Sequence, residues 1–240
     1  METIKLGALN LKPGAKILDL GCGEGRHALA LRTQFSAIDI FAVDIDHKSL
    51  SVAKEKNSTL DNYVNDNTSQ STCFVVQADG MVLPFPENSF DVIICSEVLE
   101  HIKEYSGFLH EIKRLLKKDG IFALSVPRAW PEKICWRLSE AYHQVEGGHV
   151  RIFDARKLNR EVQQYGFNFM HRHWSHALHS PYWWLRCLYW AKGEDQWFVR
   201  LYHRLLVWDL MKKPWLTQNL EKILNPVLGK SIVMYYKNLG

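Results

Sequence analysis

Apolar and polar residues alternate in blocks along the first two thirds of the chain, and the blocks are of two kinds. Short apolar runs are typical of strands buried in a sheet, whereas apolar positions spaced three and four apart are typical of helices with one buried face. The strand pattern occurs at residues 16–20, 41–44, 73–77, 91–95, 121–126, 167–174 and 231–237. We therefore expect a sheet that contains these segments as its strands.

Segments with helical spacing separate most of the predicted strands. They lie at residues 26–33, 47–56, 105–117 and 155–165. Asp46 and Asp154 stand where a carboxylate caps a helix, and Gly166 follows the last segment as a terminator. Residues 57–72 are polar and rich in turn formers, which predicts an exposed loop. The alternation of strands and helices predicts an α/β fold, a mostly parallel sheet with helices on both faces.

Residues 175–230, which we call the cap, differ in composition from the rest of the chain. The cap holds six of the nine tryptophans, and eight Lys or Arg against four Asp or Glu. Helical spacing places six of its side chains on one stripe: Trp197, Phe198, Leu201, Tyr202, Leu205 and Leu206. Three interpretations stay open: a helical cap packed on the sheet, a lid over an apolar substrate, or a contact with a membrane surface. We assign residues 1–174 and the final strand, 231–240, to the core.

Overall composition narrows the class of protein and its compartment. A net charge of +4 is too small to indicate a nucleic-acid partner. We find no apolar run of the roughly 18–20 residues that a membrane span needs, and no apolar signal-peptide core at the N-terminus. The five cysteines are widely spaced without a C-x-x-C pair, which suits free thiols in a reducing compartment. We expect a cytoplasmic protein, with peripheral membrane contact through the cap as an open possibility.

A glycine-rich turn follows the first predicted strand. Gly21, Gly23 and Gly25 occupy alternate positions there, and glycine lets the backbone turn tightly and lets a ligand approach closely. Asp44 ends the second strand, at a spacing where a carboxylate binds ribose hydroxyls. Ligands of such sheets bind beyond the carboxyl ends of the strands. The pattern therefore predicts a cofactor that contains adenosine.

A nicotinamide dinucleotide is the first alternative for this turn. Its G-x-G-x-x-G fingerprint aims a helix N-terminus at a pyrophosphate, but here the third glycine comes one residue early. Glu24 places a carboxylate in the turn, which would repel a pyrophosphate and tolerate a cationic ligand. Asp19, inside the first strand, could orient the turn or a ligand amine. These acids favour S-adenosylmethionine.

Five stretches of the sequence are informative together. In order they are "ILDLGCGEG", "VDID", "ADGMVLPFPENSFDVIICSEVLEHI", "LLKKDGIFALSVP" and "GGHVRIFDARKLNREVQQYGF". They resemble successive motifs of S-adenosylmethionine-dependent methyltransferases with the Rossmann-like seven-stranded fold, a group that includes ubiquinone-biosynthesis methyltransferases. The resemblance covers residues 16–174 and the last strand, and the cap lies outside it. It implies a methyltransferase that uses S-adenosyl-L-methionine and releases S-adenosyl-L-homocysteine.

The resemblance also implies a role for each matching position around the cofactor. Gly21, Cys22, Gly23 and Gly25 would form a turn beneath the methionine part. Asp44 would bind the ribose, and Ile45 would pack on the adenine. Asp79 would meet the adenine amino group, with Gly80 and Met81 beside it, and Ser96 and Glu97 would line the sulfonium end. Turn formation is the alternative for Asp79, and structural hydrogen bonding is equally open for Asp19 and Glu97.

Methyl transfer to a hydroxyl would also use a general base. His101, in "SEVLEHI", and His149, in "EGGHVRIF", are the candidates near the expected pocket. A packing or capping role is the alternative for His101. For His149 the flanking glycines suggest a loop that approaches a ligand.

We assign no metal from the sequence, although two sets of residues raise the question. If residues 97–101 were helical, Glu97, Glu100 and His101 would share one face, where some quinone O-methyltransferases that the chain resembles hold a divalent ion. A second set is the histidine group His171, His173, His176 and His179, near which the sequence shows no acid.

The aromatic cap favours a small, hydrophobic acceptor such as a quinone precursor, a lipid or an aromatic metabolite, with O-methylation preferred. An RNA-modifying methyltransferase is one alternative, because aromatic and arginine side chains can stack on bases. The basic excess is weak for such an enzyme, so we expect no nucleic-acid partner. A non-catalytic cofactor-binding subunit that activates a partner is the alternative from another class.

Overall fold

The computed structural model describes residues 2–63, 71–145 and 147–240. Its strands form one seven-stranded sheet in the order β3-β2-β1-β4-β5-β7-β6. The strands are β1 (Lys16–Leu20), β2 (Asp39–Asp44), β3 (Thr72–Gln77), β4 (Phe90–Ser96), β5 (Leu116–Pro127), β6 (Phe167–Ser175) and β7 (Ser231–Asn238). β7 runs antiparallel to both of its neighbours, while β1 to β5 pair in parallel. The predicted mostly parallel seven-stranded sheet is confirmed.

Helices connect the strands and cover both faces of the sheet. They are α1 (Arg26–Gln34), α2 (His47–Tyr63), α3 (Ser106–Leu115), α4 (Ala129–Leu138), α5 (Ala141–Gln144), α6 (Ala155–Gln164), α7 (His179–Leu188), α8 (Trp197–Lys212) and α9 (Trp215–Leu228). Two differences from the sequence prediction matter. α2 continues to Tyr63, so the first part of the predicted loop at 57–72 is helical, and residues 64–70 lie outside the described chain. α4 has no counterpart in the prediction.

The sheet separates two apolar cores because successive side chains of a strand point to opposite faces. In β7 the neighbours Tyr235 and Tyr236 are both completely buried, one in each core. Helix α3 contributes Leu109 to one core, and helix α1 contributes Leu31 to the other. Burial on both faces fixes the positions of the strand ends, which form the functional edge described below.

The cap forms α7, α8 and α9 between β6 and β7. α7 packs against α4 through Cys187 and Cys135, with several tryptophans around them. The apolar stripe of α8 does not pack on the protein as a whole, because Trp197 and Leu201 are 68% and 58% exposed. Of its members only Leu206 is buried, together with Val199 and Asp209 from outside the stripe.

Helix α9 buries none of its described side chains. Among the helices that the structure describes, none combines the length and the apolar character that crossing a membrane requires.

Candidate functional site

The glycine turn begins where β1 ends, at the carboxyl edge of the sheet. Strand order reverses between β1 and β4, which is where open α/β sheets bind ligands. The backbone N–H groups of Gly21 and Cys22 both donate to the carbonyl of Val43, at 2.8 and 3.0 Å, so the turn is tied to β2. Gly21 has a φ of 73°, and a Cβ there would lie 2.4 Å from Cγ2 of Val98. Only glycine fits this position.

A cavity of about 980 Å³ opens above this edge. Most of the residues that the sequence assigned to the cofactor line it. They are Gly21, Cys22, Gly23, Asp44, Ile45, Asp79, Gly80, Met81, Ser96 and Glu97. His101 lines it as well, and Leu210 of α8 brings the cap to its wall. The structure thus brings five separate stretches of the chain together around one space.

Asp44 joins the end of β2 to the turn. Its Oδ2 accepts a hydrogen bond from the Gly23 N–H at 2.7 Å, and its Oδ1 accepts one from the Asp46 N–H at 2.9 Å. Because a carboxylate offers about four acceptor positions, Asp44 retains capacity for ligand hydroxyls. A Cβ on Gly23 would meet no described atom within 4 Å, so ligand atoms can approach its backbone. This cradle fits the ribose and methionine parts of S-adenosylmethionine.

Two further residues shape the opposite wall, where an adenine ring would lie. Ile45 is 67% exposed and presents an apolar side chain to the cavity. Asp79 lines the cavity and also forms a turn, since its Oδ1 accepts a hydrogen bond from the Met81 N–H at 2.9 Å. A Cβ on Gly80 would lie 2.2 Å from Cε2 of Phe108, so this backbone packs directly on α3.

Three predicted site residues within the described chain do not line the cavity: Asp19, Gly25 and His149. Asp19 is 1% exposed and accepts a hydrogen bond from the Ala28 N–H at 3.0 Å, and burial raises its pKa to about 7. It therefore anchors α1 from below the turn, which supports the structural alternative for Asp19 over a cofactor contact. Gly25 caps α1 with a φ of 80°, where side chains are strained.

Glu24 lies in the turn as predicted, but its charge is not isolated. Its Oε2 lies 2.6 Å from Nζ of Lys56, and both side chains are about half exposed. The ion pair weakens the repulsion of a pyrophosphate on which the sequence interpretation relied. The acids that remain at the cavity, Asp44, Asp79 and Glu97, still favour a cationic ligand over a phosphate.

Ser96 ends β4 and Glu97 follows it, at the place where the sulfonium was expected. Glu97 has a φ of 57°, its N–H donates to the Ser125 carbonyl at 3.0 Å, and its Oε1 accepts from the Ser125 hydroxyl at 2.9 Å. Only Leu99–His101 then forms a short 3₁₀ turn. Glu97, Glu100 and His101 therefore do not share a helical face, which corrects that metal hypothesis.

In the described chain, the group of ligand-type side chains here is instead Glu100, His101 and His149, with one atom of each within 4.8 Å of the others. Glu100 is completely buried, and neither of its oxygens has a hydrogen-bond partner among the described residues. Burial, and then the charge of Glu97, raises the pKa of Glu100 well above its usual range.

His101 and His149, the two predicted bases, are neighbours in space. Their ring centroids are 5.0 Å apart. His101 Nδ1 lies 3.3 Å from the Gly148 carbonyl oxygen, so it can donate its proton there and leave Nε2 free to accept one. His149 lies behind His101, with its Nδ1 2.6 Å from Oε1 of Glu132.

Glu132 is a neighbour of the candidate base pair that the sequence analysis did not single out, because α4 was not recognised. It is 1% exposed. Burial works to raise its pKa, but the hydrogen bond from His149 and the charge of Lys230 outweigh burial, and the pKa is lowered. Burial, followed by the charge of His149, lowers the pKa of His101. His101 therefore lines the cavity, with His149 and then the Glu132 carboxylate behind it.

Comparison with known proteins places the chain in a family. Residues 2–172 match the family model described as "Methyltransferase domain". A cycloartenol-C-24-methyltransferase of Arabidopsis thaliana is 32% identical over 146 residues, 61% of this chain and 40% of that protein. A demethylmenaquinone methyltransferase of Staphylococcus saprophyticus is 29% identical over 180 residues, 67% of this chain and 73% of that protein.

The fold is shared with solved structures at lower identity. One is phosphoethanolamine N-methyltransferase 2 of Haemonchus contortus in complex with S-adenosyl-L-methionine, with a TM-score of 0.60 and 16% sequence identity to this chain. The alignment covers 98% of this chain and 51% of that one. The chain spans less than half of the length of the first sterol-pathway relatives that it matches. The family match covers most of this chain, and the protein belongs to the methyltransferase-domain family.

Proposed function

We propose that the protein transfers a methyl group from S-adenosyl-L-methionine to a small hydrophobic acceptor, with an acceptor hydroxyl favoured. The observation that carries this proposal is a single cavity whose lining includes Asp44, Glu97, His101 and the cap residue Leu210. The lining combines the groups that an adenosine needs with a base and apolar side chains.

The cofactor supplies an activated methyl group on a positively charged sulfur, so this chain supplies orientation, exclusion of water and a proton acceptor. Gly21 and Gly23 let the backbone approach the methionine part, Asp44 holds the ribose, and Ile45 and Asp79 hold the adenine. The bound cofactor would supply the methyl group to the acceptor oxygen, and Nε2 of His101 would take the proton of the acceptor hydroxyl.

Glu132 and His149 act on His101 from behind. The carboxylate of Glu132 fixes the ring of His149 through the 2.6 Å contact, and the ring of His149 packs edge-on against His101. This arrangement holds the His101 ring so that Nε2 stays available to the acceptor. His149 is therefore proposed as a positioning residue, and His101 as the catalytic base.

A hydrophobic acceptor is supported by the relatives and by the cap. The matched relatives are named for a sterol precursor and a menaquinone precursor, both with apolar ring systems. The cavity reaches the cap at Leu210, which is 40% exposed. One relative is named as a C-24 methyltransferase, so carbon is the alternative acceptor atom, and a phenol deprotonated by His101 could react through either atom.

We also propose that the cap meets an anionic membrane surface, from which such an acceptor would enter. Exposed apolar side chains extend along α8 and α9, and they include Trp197, Trp208, Met211, Trp215, Leu216 and Ile223. Among the described side chains of residues 197–228, those that are both charged and exposed are all basic: Arg200, Arg204, Lys212, Lys213 and Lys222. Apolar anchors with basic residues around them are typical of interfacial helices.

The proposal is tested by measuring S-adenosylhomocysteine formation with a panel of demethylquinones, prenylated phenols and sterols, with and without anionic vesicles. We expect turnover of at least one phenolic member, and a loss of kcat of about 10²-fold or more in His101→Gln. His149→Gln should lower kcat less and shift the pH profile. His203→Gln, an exposed histidine of α8, is the matched control. Tight cofactor binding without turnover of any acceptor would favour the non-catalytic subunit instead.

A further inference from the structure

A second cavity, of about 310 Å³, lies where α8 and α9 meet the end of β6. Its walls include His176, Asp209 and Glu221. His176 directly follows β6, and Glu221 lies in the middle of α9. Leu210 lines both this cavity and the cofactor cavity, so the two spaces share one wall of the cap.

His176 and Glu221 of this wall form a cluster with His179, and each of the three side chains has an atom that can bind a metal ion. One atom from each of His176, His179 and Glu221 lies within 4.8 Å of the other two. His179 is the first residue of α7, so the three groups come from three different elements. The sequence showed the two histidines and no acid near them. The acid is supplied by α9 through the fold.

Each of the three residues has a buried polar atom that lacks a hydrogen-bond partner among the described residues. These atoms are Nδ1 of His176, Nδ1 of His179 and Oε1 of Glu221. His176 is only 8% exposed, so its side chain is largely shielded from bulk solvent. Buried polar atoms without partners are rare in folded proteins, and a group of three in one place indicates a ligand that bonds to all of them.

The second nitrogen of His176 is already engaged. Its Nε2 lies 3.0 Å from the Thr3 hydroxyl oxygen, to which the ring can donate its proton. Nδ1 then keeps its lone pair and is fixed in direction. A metal-binding histidine commonly has its other ring nitrogen held by such an outer partner.

The electrostatic environment keeps both imidazoles neutral, which is the form that binds metals. Burial lowers the pKa of His176 well below its usual range, and it lowers the pKa of His179 to about 4. The surrounding charges are mixed. Arg26 and Lys230 lower both pKa values further, whereas Asp209 raises that of His179.

Burial, and then the charge of Asp209, raises the pKa of Glu221. A divalent cation would compensate the negative charges of Glu221 and Asp209. Two imidazoles and one carboxylate, with a fourth position left open, are a donor set that zinc takes and that magnesium and calcium do not favour.

We propose that His176, His179 and Glu221 bind a zinc-class divalent cation that joins α9 to the start of α7. This site is distinct from the group of Glu100, His101 and His149 at the cofactor cavity. There, Nδ1 of His149 already contacts Glu132, and Nδ1 of His101 already contacts Gly148. A cation bound to Glu221 would fix α9, the helix after α8. Because α8 carries Leu210, this would hold the cap at the cofactor cavity.

The test uses the purified full chain, stripped with a chelator and titrated with zinc against a chromophoric competitor. We expect one zinc per chain, with binding weakened by about 100-fold or more in Glu221→Gln and in His179→Gln. The matched control is Glu2→Gln, because Glu2 is an acid that lines the same cavity outside the ligand group. Thr3→Val should weaken binding by about 10-fold, and Thr3→Ser should restore it.

Two further readouts keep the result interpretable if a variant folds poorly. Cobalt bound to wild type should show the visible absorption of a low-symmetry four- or five-coordinate site. Saturating zinc should raise the melting temperature of wild type and of Glu2→Gln, but not that of Glu221→Gln. Absence of zinc uptake by wild type, equal affinity in Glu221→Gln, or loss of binding in His149→Gln instead would each overturn the proposal.

Discussion

The cofactor edge and the cap of this protein are built on opposite principles. At the cofactor edge, the turn and the strand ends bind one another: Gly21 to Val43, Gly23 to Asp44, and Glu97 to Ser125. In the cap, α8 and α9 expose large apolar side chains to solvent, and Glu221 presents a buried oxygen without a partner among the described residues. The turn and the strand ends of the cofactor edge are held by hydrogen bonds to one another, whereas the cap exposes apolar side chains and contains a buried polar atom without a described partner.

This difference separates two kinds of information about function. A pre-organised edge keeps its shape whether or not a ligand is bound, so its geometry alone indicates which cofactor fits. The exposed and unpartnered groups of the cap indicate what the isolated chain lacks. We assign an apolar acceptor, a lipid surface and a metal ion to those groups.

The largest expected effect is on the free energy of unfolding, to which a buried side chain of the sheet should contribute far more than an exposed one of the cap. Phe122 is completely buried in β5, and Trp197 is 68% exposed on α8. We expect Phe122→Ala to lower the free energy of unfolding by about 4 kcal/mol through loss of burial and a cavity. Trp197→Ala should change it by less than about 0.5 kcal/mol. Urea unfolding measures both, and a large loss in Trp197→Ala would mean that the cap surface is covered by another copy of the chain.

The next effect concerns the turn itself. Gly21→Ala adds a Cβ 2.4 Å from Val98 at a φ of 73°, so we expect a loss of about 3 kcal/mol from overlap and backbone strain. Gly23→Ala has a φ of 53° and no described neighbour within 4 Å, so only strain of about 1 kcal/mol applies. The same unfolding assay compares the pair. Equal losses would contradict the close packing of the turn on Val98.

The basic surface of the cap gives a smaller effect. Replacing both Lys212 and Lys213 by Gln should weaken binding to anionic vesicles by about 2 kcal/mol, near 30-fold, because each lysine near the surface contributes about 1 kcal/mol. Lys118, exposed in the early part of β5, provides the control substitution Lys118→Gln. Vesicle co-sedimentation at low and physiological salt measures the difference. Absence of vesicle binding by wild type would remove the membrane proposal.

The smallest effect is a pH dependence at the junction of the N-terminus and α1. His27 is 5% exposed, and its Nε2 accepts hydrogen bonds from the N–H groups of Thr3 and Ile4 at 3.3 Å each. Burial, with the charge of Arg26 second, lowers its pKa to about 3. The unfolded chain therefore binds more protons than the folded one between pH 6.5 and about 3, so stability falls as pH falls through this window.

At pH 5.5 we expect His27 to account for a loss of about 1 kcal/mol relative to pH 7.5. His27→Gln should flatten the dependence, and His47→Gln, at an exposed histidine, should leave it unchanged. Urea unfolding at the two pH values, in the presence of a chelator, provides the measurement. An unchanged slope in His27→Gln would contradict a neutral, buried His27.

Much of the fold could be predicted from local pattern. All seven strands were found because buried strands need short apolar runs, and β1 was placed at its observed bounds. The extension of α2 to Tyr63 was missed because its sequence there is polar, and an exposed helical surface has the same composition as a loop. α4 was missed for a related reason: Pro131 and Glu132 lie in its first turn and interrupt the apolar spacing.

The sequence predicted the parts of the site that depend on a local motif. It did not predict the parts that depend on where a side chain points or on contacts between segments far apart in the sequence. The glycine turn and Asp44 have a recognisable spacing. Asp19 was assigned to the cavity because a sequence does not show which face of a strand end a side chain takes, and it lies buried beneath α1. Glu132 and Glu221 were missed because they reach their histidines only through packing of separate helices. The α8 stripe showed where the apolar residues are, but an amphipathic pattern does not tell which surface stays exposed.

The central claim is that the cradle of Gly23 and Asp44 binds S-adenosylmethionine. Titration calorimetry of wild type, Asp44→Ala and the control Asp39→Ala, at the other end of β2, tests it most directly. We predict micromolar binding of S-adenosylmethionine and S-adenosylhomocysteine, weakened about 10-fold or more (about 1.4 kcal/mol) in Asp44→Ala and unchanged in Asp39→Ala. No binding of either compound by wild type, with binding of a nicotinamide dinucleotide instead, would contradict the account.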